Sequence, residues 1–115
     1  MHEYSLVASL LAQVEQAARM RGATRVHCID VDIGEQSGVE IPLFREAFDT
    51  FRSGALCATT ELRTRQISAI WTCPECRASV PRPGPLRCPE CAVPATLEKG
   101  GELVLQRIEM EVPHV

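Results

Sequence analysis

Two Cys-x-x-Cys knuckles constrain what this chain can fold into more than any other feature. Cys73-Pro74-Glu75-Cys76 is followed, after residues 77–87, by Cys88-Pro89-Glu90-Cys91. At that separation four thiolates can occupy the corners of a tetrahedron. Zn²⁺ favours this geometry, and sulfur suits its borderline-soft character. The intervening segment carries Pro81, Pro83, Gly84 and Pro85, which turn easily but supply too little apolar surface for a core. Metal binding and folding of this stretch are therefore expected to be one event. A four-cysteine site is also closed, with no open position for water or substrate. Cys73, Cys76, Cys88 and Cys91 are accordingly expected to hold structural zinc.

The rest of the chain must fold by ordinary means. Its 115 residues suffice for one domain carrying a metal-stapled insert, and 45% hydrophobic with 23% charged residues is a globular composition. A formal net charge of −3 gives no global argument for nucleic acid or an anionic membrane. No apolar run approaches a membrane span. The start, Met1-His2-Glu3-Tyr4, lacks the basic region of a signal peptide, so the cytoplasm is the expected compartment. Cys28 and Cys57, outside the knuckles, are expected to be small buried hydrophobes and not disulfide partners.

Periodicity places the elements. Leu6, Leu10, Val14 and Ala17, widened by Val7, Leu11 and Ala18, form a helical stripe over residues 5–21, closed by Gly22. Residues 1–3 would then lie just outside the first turn. Residues 25–33 alternate as a strand with Ile29, Val31 and Ile33 on one face and Asp30 and Asp32 on the other, which puts His27 on the apolar side. After the loop 34–38, Pro42 opens a second helix with Phe44, Ala47, Phe48 and Phe51 on its core stripe. Residues 59–70 and 102–112 read as strands, the second with Val104, Ile108, Met110 and Val112 sharing a face. These two strands flank the knuckles and most simply pair with each other. The expected architecture is α+β: two helices packed on a small, mostly antiparallel three-stranded sheet, with an inserted four-cysteine zinc ribbon. The expected units are 1–71 plus 100–115, and 72–99.

Catalytic constellations are scarce, with no Gly-rich phosphate loop, no GxSxG and no HExxH. His2, His27 and His114 stand beside no obvious nucleophile, so no enzymatic activity is expected. The first three residues offer different chemistry. An α-amine, adjacent amide nitrogens and the imidazole of His2 can form fused chelate rings in a plane, which suits Ni²⁺ or Cu²⁺ and serves Zn²⁺ poorly.

Met1-His2-Glu3-Tyr4-Ser5-Leu6, residues 32–40 (Asp-Ile-Gly-Glu-Gln-Ser-Gly-Val-Glu), Leu43 to Phe48, the two knuckles and the ending from Gly101 to Val112 resemble, in order, the HypA/HybF family of nickel-insertion proteins for [NiFe]-hydrogenase maturation. The likeness spans nearly the whole chain. It implies a nickel metallochaperone in which the amine of Met1, His2 and the backbone nitrogen of Glu3 surround Ni(II), with an acidic residue at the place of Glu40 associated with the site. It also implies a structural Zn(II) on the four cysteines. The implied partners are the GTPase HypB, the hydrogenase large-subunit precursor and, in some members, urease maturation proteins. No histidine stands beside a knuckle, where Arg77 and Ala92 follow directly. Nickel affinity is therefore expected to respond to pH through His2 and the amides, which must shed protons to bind.

Two rival readings use the same cysteines. A zinc-ribbon module for protein or RNA would draw on Arg77, Arg82 and Arg87, but no aromatic residue is interleaved among them. A rubredoxin-like iron carrier would leave the large α/β part without a purpose. The chain could be a monomer or a weak, strand-swapped dimer.

Overall fold

The helical stripe near the N-terminus forms α1, His2–Met20. It appears in a computed structural model that describes residues 2–52 and 54–113. Met1 and His114 lie outside the described residues. The helix begins three residues before the sequence stripe does, so His2 and Glu3 belong to its first turn. Tertiary ties account for this early start: the Glu40 N–H donates to the Glu3 carboxylate at 3.3 Å, and Tyr4 meets Phe51 edge-on at 5.1 Å. A carboxylate in the first turn also faces the positive end of the helix dipole. At the other end, the N–H groups of Gly22 and Ala23 donate to the carbonyls of Arg19 and Ala18. Gly22 takes φ 67° there, the left-handed closure that a residue without Cβ adopts at least cost.

Strand β1, Arg25–Gly34, is the centre of a three-stranded sheet ordered β2-β1-β5. It leads into α2, Ile41–Phe51, a short α3, Gly54–Cys57, and β2, Glu61–Ile67, which lies parallel to β1 from Cys28↔Glu61 to Gly34↔Ile67. Strand β5, Leu103–Glu111, lies antiparallel to β1 on its other side. The two strands that flank the ribbon were expected to pair with each other because they bracket the knuckles; instead β1 separates them. The ribbon has its own neck, β3, Ile70–Thr72, antiparallel to β4, Thr96–Lys99. The molecule extends over 60 × 32 × 17 Å.

One face of the sheet meets the helices. Val7, Leu10, Leu11, Val14 and Ala18 of α1 and Phe44, Ala47 and Phe48 of α2 bury against Val26, Ile29, Val31, Ile33 and Leu62. Phe51 departs from its expected place in that core: it is 46% exposed at the end of α2, its ring resting on Tyr4. Register breaks in the β1–β5 ladder, between Val26 and Cys28 and between Asp30 and Val31, shift the alternation. His27 consequently turns outward, with its side chain 49% exposed and Nε2 3.1 Å from Glu111. On β5 the same effect exposes Val104 and brings Leu103 and Leu105 to the core beside Ile108 and Met110. The other face of the sheet carries ion pairs, in which Arg63 lies 3.8 Å from Asp30 and 3.5 Å from Glu109. Arg65 makes a two-pronged contact with the carboxylate of Asp32, at 3.1 and 2.8 Å.

Candidate metal centre

The knuckles repeat one backbone design fifteen positions apart. In the first, the Cys73 N–H donates to the Ala78 carbonyl and the Arg77 N–H to the Cys73 carbonyl, both at 2.9 Å. In the second, Cys88 and Val93, then Ala92 and Cys88, make the same two bonds at 2.9 Å. The N–H of Val80 reaches Trp71, and that of Ala95 reaches Leu86, at 2.8 and 2.9 Å. Each knuckle turns back through a left-handed residue, Arg77 with φ 66° and Ala92 with φ 57°. The fold of the ribbon is thus a local two-fold repeat that turns both cysteine pairs inward.

The sulfurs converge. All four Sγ atoms lie within 4.8 Å of one another, and Cys76 Sγ is 3.8 Å from Cys88 Sγ. A tetrahedron with Zn–S bonds of ~2.3 Å has S···S edges of about 3.8 Å, the separation of Cys76 and Cys88 Sγ. Backbone N–H groups already point at the sulfurs: those of Glu75 and Cys76 at Cys73 Sγ, 3.4 and 3.5 Å, and that of Cys91 at Cys88 Sγ, 3.4 Å. The N–H groups of Cys76 and Glu75 pull the Cys73 thiol down to about 7. Cys91, which donates toward Cys76 and Cys73, is pushed up to about 12. Outside the cage, burial pushes the Cys28 thiol up to about 11 and the Cys57 thiol up as well. Both remain buried thiols, as expected for packing residues.

The N-terminal end is arranged differently. His2 is exposed, and the Glu3 carboxylate is buried against the start of α2. The Glu40 N–H, together with the N–H of Glu3 itself, holds that carboxyl below its ordinary value. Glu40 is the N-cap residue of α2, but its side chain makes no capping bond and is exposed. Sequence spacing could not bring Glu3 and Glu40 together; the packing of α1 across α2 does. Among the described residues, the four cysteines are the only cluster of three or more His, Cys, Asp or Glu side chains poised to share an ion. His27 joins no such cluster.

Comparison with known proteins decides the family. The family model described as "Hydrogenase/urease nickel incorporation, metallochaperone, hypA" matches residues 1–110. The chain is a member of the HypA family. A hydrogenase maturation factor HypA from Shewanella baltica (strain OS185) is 35% identical over 113 residues, covering 96% of this chain and 97% of the relative. The HypA of Wolinella succinogenes is 37% identical over 114 residues, covering 96% of each. Among solved structures, the solution structure of the Ni metallochaperone HypA from Helicobacter pylori superposes with a TM-score of 0.74 at 29% identity, covering 96% of this chain and 98% of the other. A second HypA solution structure gives 0.78 at 31%, covering 98% of each. The HypA resemblance seen in the sequence motifs thus extends to the fold. No helix among the described residues is long and apolar enough to cross a membrane.

Proposed function

We propose that this HypA-family chain is a nickel metallochaperone that carries Ni(II) at its N-terminus and keeps Zn(II) as a structural ion in the ribbon. The observation that carries the proposal is the family match over residues 1–110, a span that includes the N-terminal residues and the four cysteines. In this reading the amine of Met1, His2 and the backbone nitrogen of Glu3 take nickel, with Glu40 beside them, and Cys73, Cys76, Cys88 and Cys91 take zinc. The division of labour follows the units 1–71 plus 100–115 for nickel and 72–99 for zinc. The chain catalyses no reaction. It works in the cytoplasm, receives help from the GTPase HypB, and hands nickel to the hydrogenase large-subunit precursor, with urease maturation as a further outlet.

Physical chemistry supports an open, releasing site at this end. The first four N–H groups of a helix have no intrahelical acceptor, so the amides of His2 and Glu3 can be deprotonated without breaking the helix ladder. A planar chelate favours a ψ nearer zero than the helical value of about −42°, so capture would flatten the first turn. Regaining that turn and its ties favours release. The rival ribbon module has less support, because the Arg87 guanidinium is already bound to the Ala92 carbonyl within the ribbon.

Nickel titration at neutral pH tests the assignment. Native protein should bind tightly, whereas His2→Ala and a form with two residues added before Met1 should lose tight binding while zinc content and circular dichroism persist. Equal nickel affinity in the extended form would sink the N-terminal site.

A further inference from the structure

Two linkers join the ribbon to the sheet, and the same three residues bind both of them. At the end of β1, the Gly34 N–H donates to the Glu102 carbonyl and, two residues on, the Gln36 N–H to the Gly100 carbonyl, each at 2.8 Å. These bonds hold the returning linker. The Glu35 N–H donates to the Ile67 carbonyl at 2.8 Å, and the Glu35 carboxylate accepts the N–H of Ala69 at 2.8 Å. These hold the outgoing linker. The parallel ladder of β1 and β2 ends at Gly34↔Ile67, so the Glu35 side chain takes the place that the next backbone carbonyl would have filled.

The crossing has no spare room. A Cβ at Gly34 would run into the Gly100 carbonyl, and one at Gly100 would sit 2.8 Å from the Ala69 Cα. Gly100 also holds φ 89°, a conformation that L side chains rarely adopt. Above the crossing, Arg82 and Pro83 of the ribbon face Glu35 and Gln36 across a cavity of about 260 Å³. The ribbon therefore folds back toward the residues that grip its neck.

We propose that Glu35 is a positioning residue: with the main chain of Gly34 and Gln36 it locks both linkers, so that ribbon and α/β body turn as one rigid unit. This goes beyond the nickel-carrier reading and holds whether or not that reading does. A partner that touches ribbon and body together then meets a preformed surface and does not have to order a tethered module. Side-chain length matters, since aspartate would lose a methylene of reach toward Ala69 while keeping the charge. Glutamine would keep an acceptor oxygen at full reach.

Backbone ¹⁵N relaxation and amide exchange on the zinc-loaded full chain test this. In the native protein, amides of residues 73–95 and of β1 should share one rotational correlation time. Glu35→Ala and Glu35→Asp should shorten the ribbon's correlation time relative to the body and speed exchange of the Ala69 amide about tenfold, the scale of one lost hydrogen bond. Glu35→Gln should behave as native. The proposal is overturned by a native ribbon that tumbles independently, or by Glu35→Asp and Glu35→Ala chains that keep joint tumbling and a protected Ala69. A Glu35→Gln chain as loose as Glu35→Ala would overturn it equally, because acceptor geometry would then not be the cause.

Discussion

The ribbon and the body are held together by different forces, and the contrast is visible in what each buries. The body packs aliphatic and aromatic side chains from two helices onto three strands, with Phe44, Phe48, Ile29 and Ile33 almost fully enclosed. Between residues 73 and 95 the buried side chains are Cys73, Val80 and Cys88, two of which belong to the four-cysteine cluster. Hydrophobic burial contributes about 25 cal/mol per Å² of apolar surface, so one buried valine cannot hold a turn-rich segment of this length. The body owes its fold to the apolar pattern of the chain; the ribbon, which lacks such a core, is expected to owe its fold to an ion on its four cysteines.

Removing that ion should break the contrast open most widely. A structural zinc site is worth about 10–16 kcal/mol at neutral pH, more than such a segment can replace. A strong chelator, or Cys88→Ser, should collapse the amide dispersion of residues 73–95 in NMR spectra while helical circular dichroism largely survives. Loss of helix in parallel with zinc would show that the two parts are not held separately. The reciprocal lesion is Phe48→Ala, which opens a cavity under α2 and should cost about 3–5 kcal/mol in urea denaturation. Zinc stoichiometry should stay at one ion per chain.

Smaller changes sharpen the comparison. Ala92 holds φ 57° in the second knuckle, a conformation that costs an L residue roughly 1–2 kcal/mol. Ala92→Gly should therefore raise the chelator concentration needed to strip zinc while leaving the urea midpoint of the body in place. Acid provides the weakest probe. The Glu3 carboxyl sits below its ordinary value because the Glu40 N–H holds the ionised form, so its contribution is complete at neutral pH. It is lost as pH falls through the depressed value, below the ordinary carboxylate range. Glu3→Gln should flatten this part of the body's acid unfolding curve and leave acid release of zinc unchanged.

Different parts of the molecule were legible in the sequence to different degrees. Cysteine spacing specified the metal cage because ligand number and geometry leave few alternatives. The stripes of α1 and α2 were legible because helical periodicity acts within a single element. Strand neighbours were not, since alternation reports which face is buried and says nothing about which strand lies alongside. His27 and Val104 were misplaced for a related reason: each bulge in the β1–β5 ladder reverses the parity of the residues beyond it. The early start of α1 and the contact between Glu3 and Glu40 depend on how two helices cross, which no local window contains. Of the implied nickel ligands, His2, Glu3 and Glu40 can be placed; Met1 lies outside the described residues.

The position of β1 between β2 and β5 also has a kinetic meaning. Residues 25–67 contain β1, α2 and β2, a contiguous unit that can pair before the cysteines are reached. Strand β5 can join β1 only after the chain has traversed residues 68–102. Without an ion that stretch would close as one long loop; an ion clamping Cys73 to Cys91 would shorten it about two-fold. By the logarithmic dependence of closure entropy on loop length, halving it would favour docking of β5 by about 0.6 kcal/mol. An ion held by the four cysteines would thereby favour the arrival of the third strand of the body's sheet.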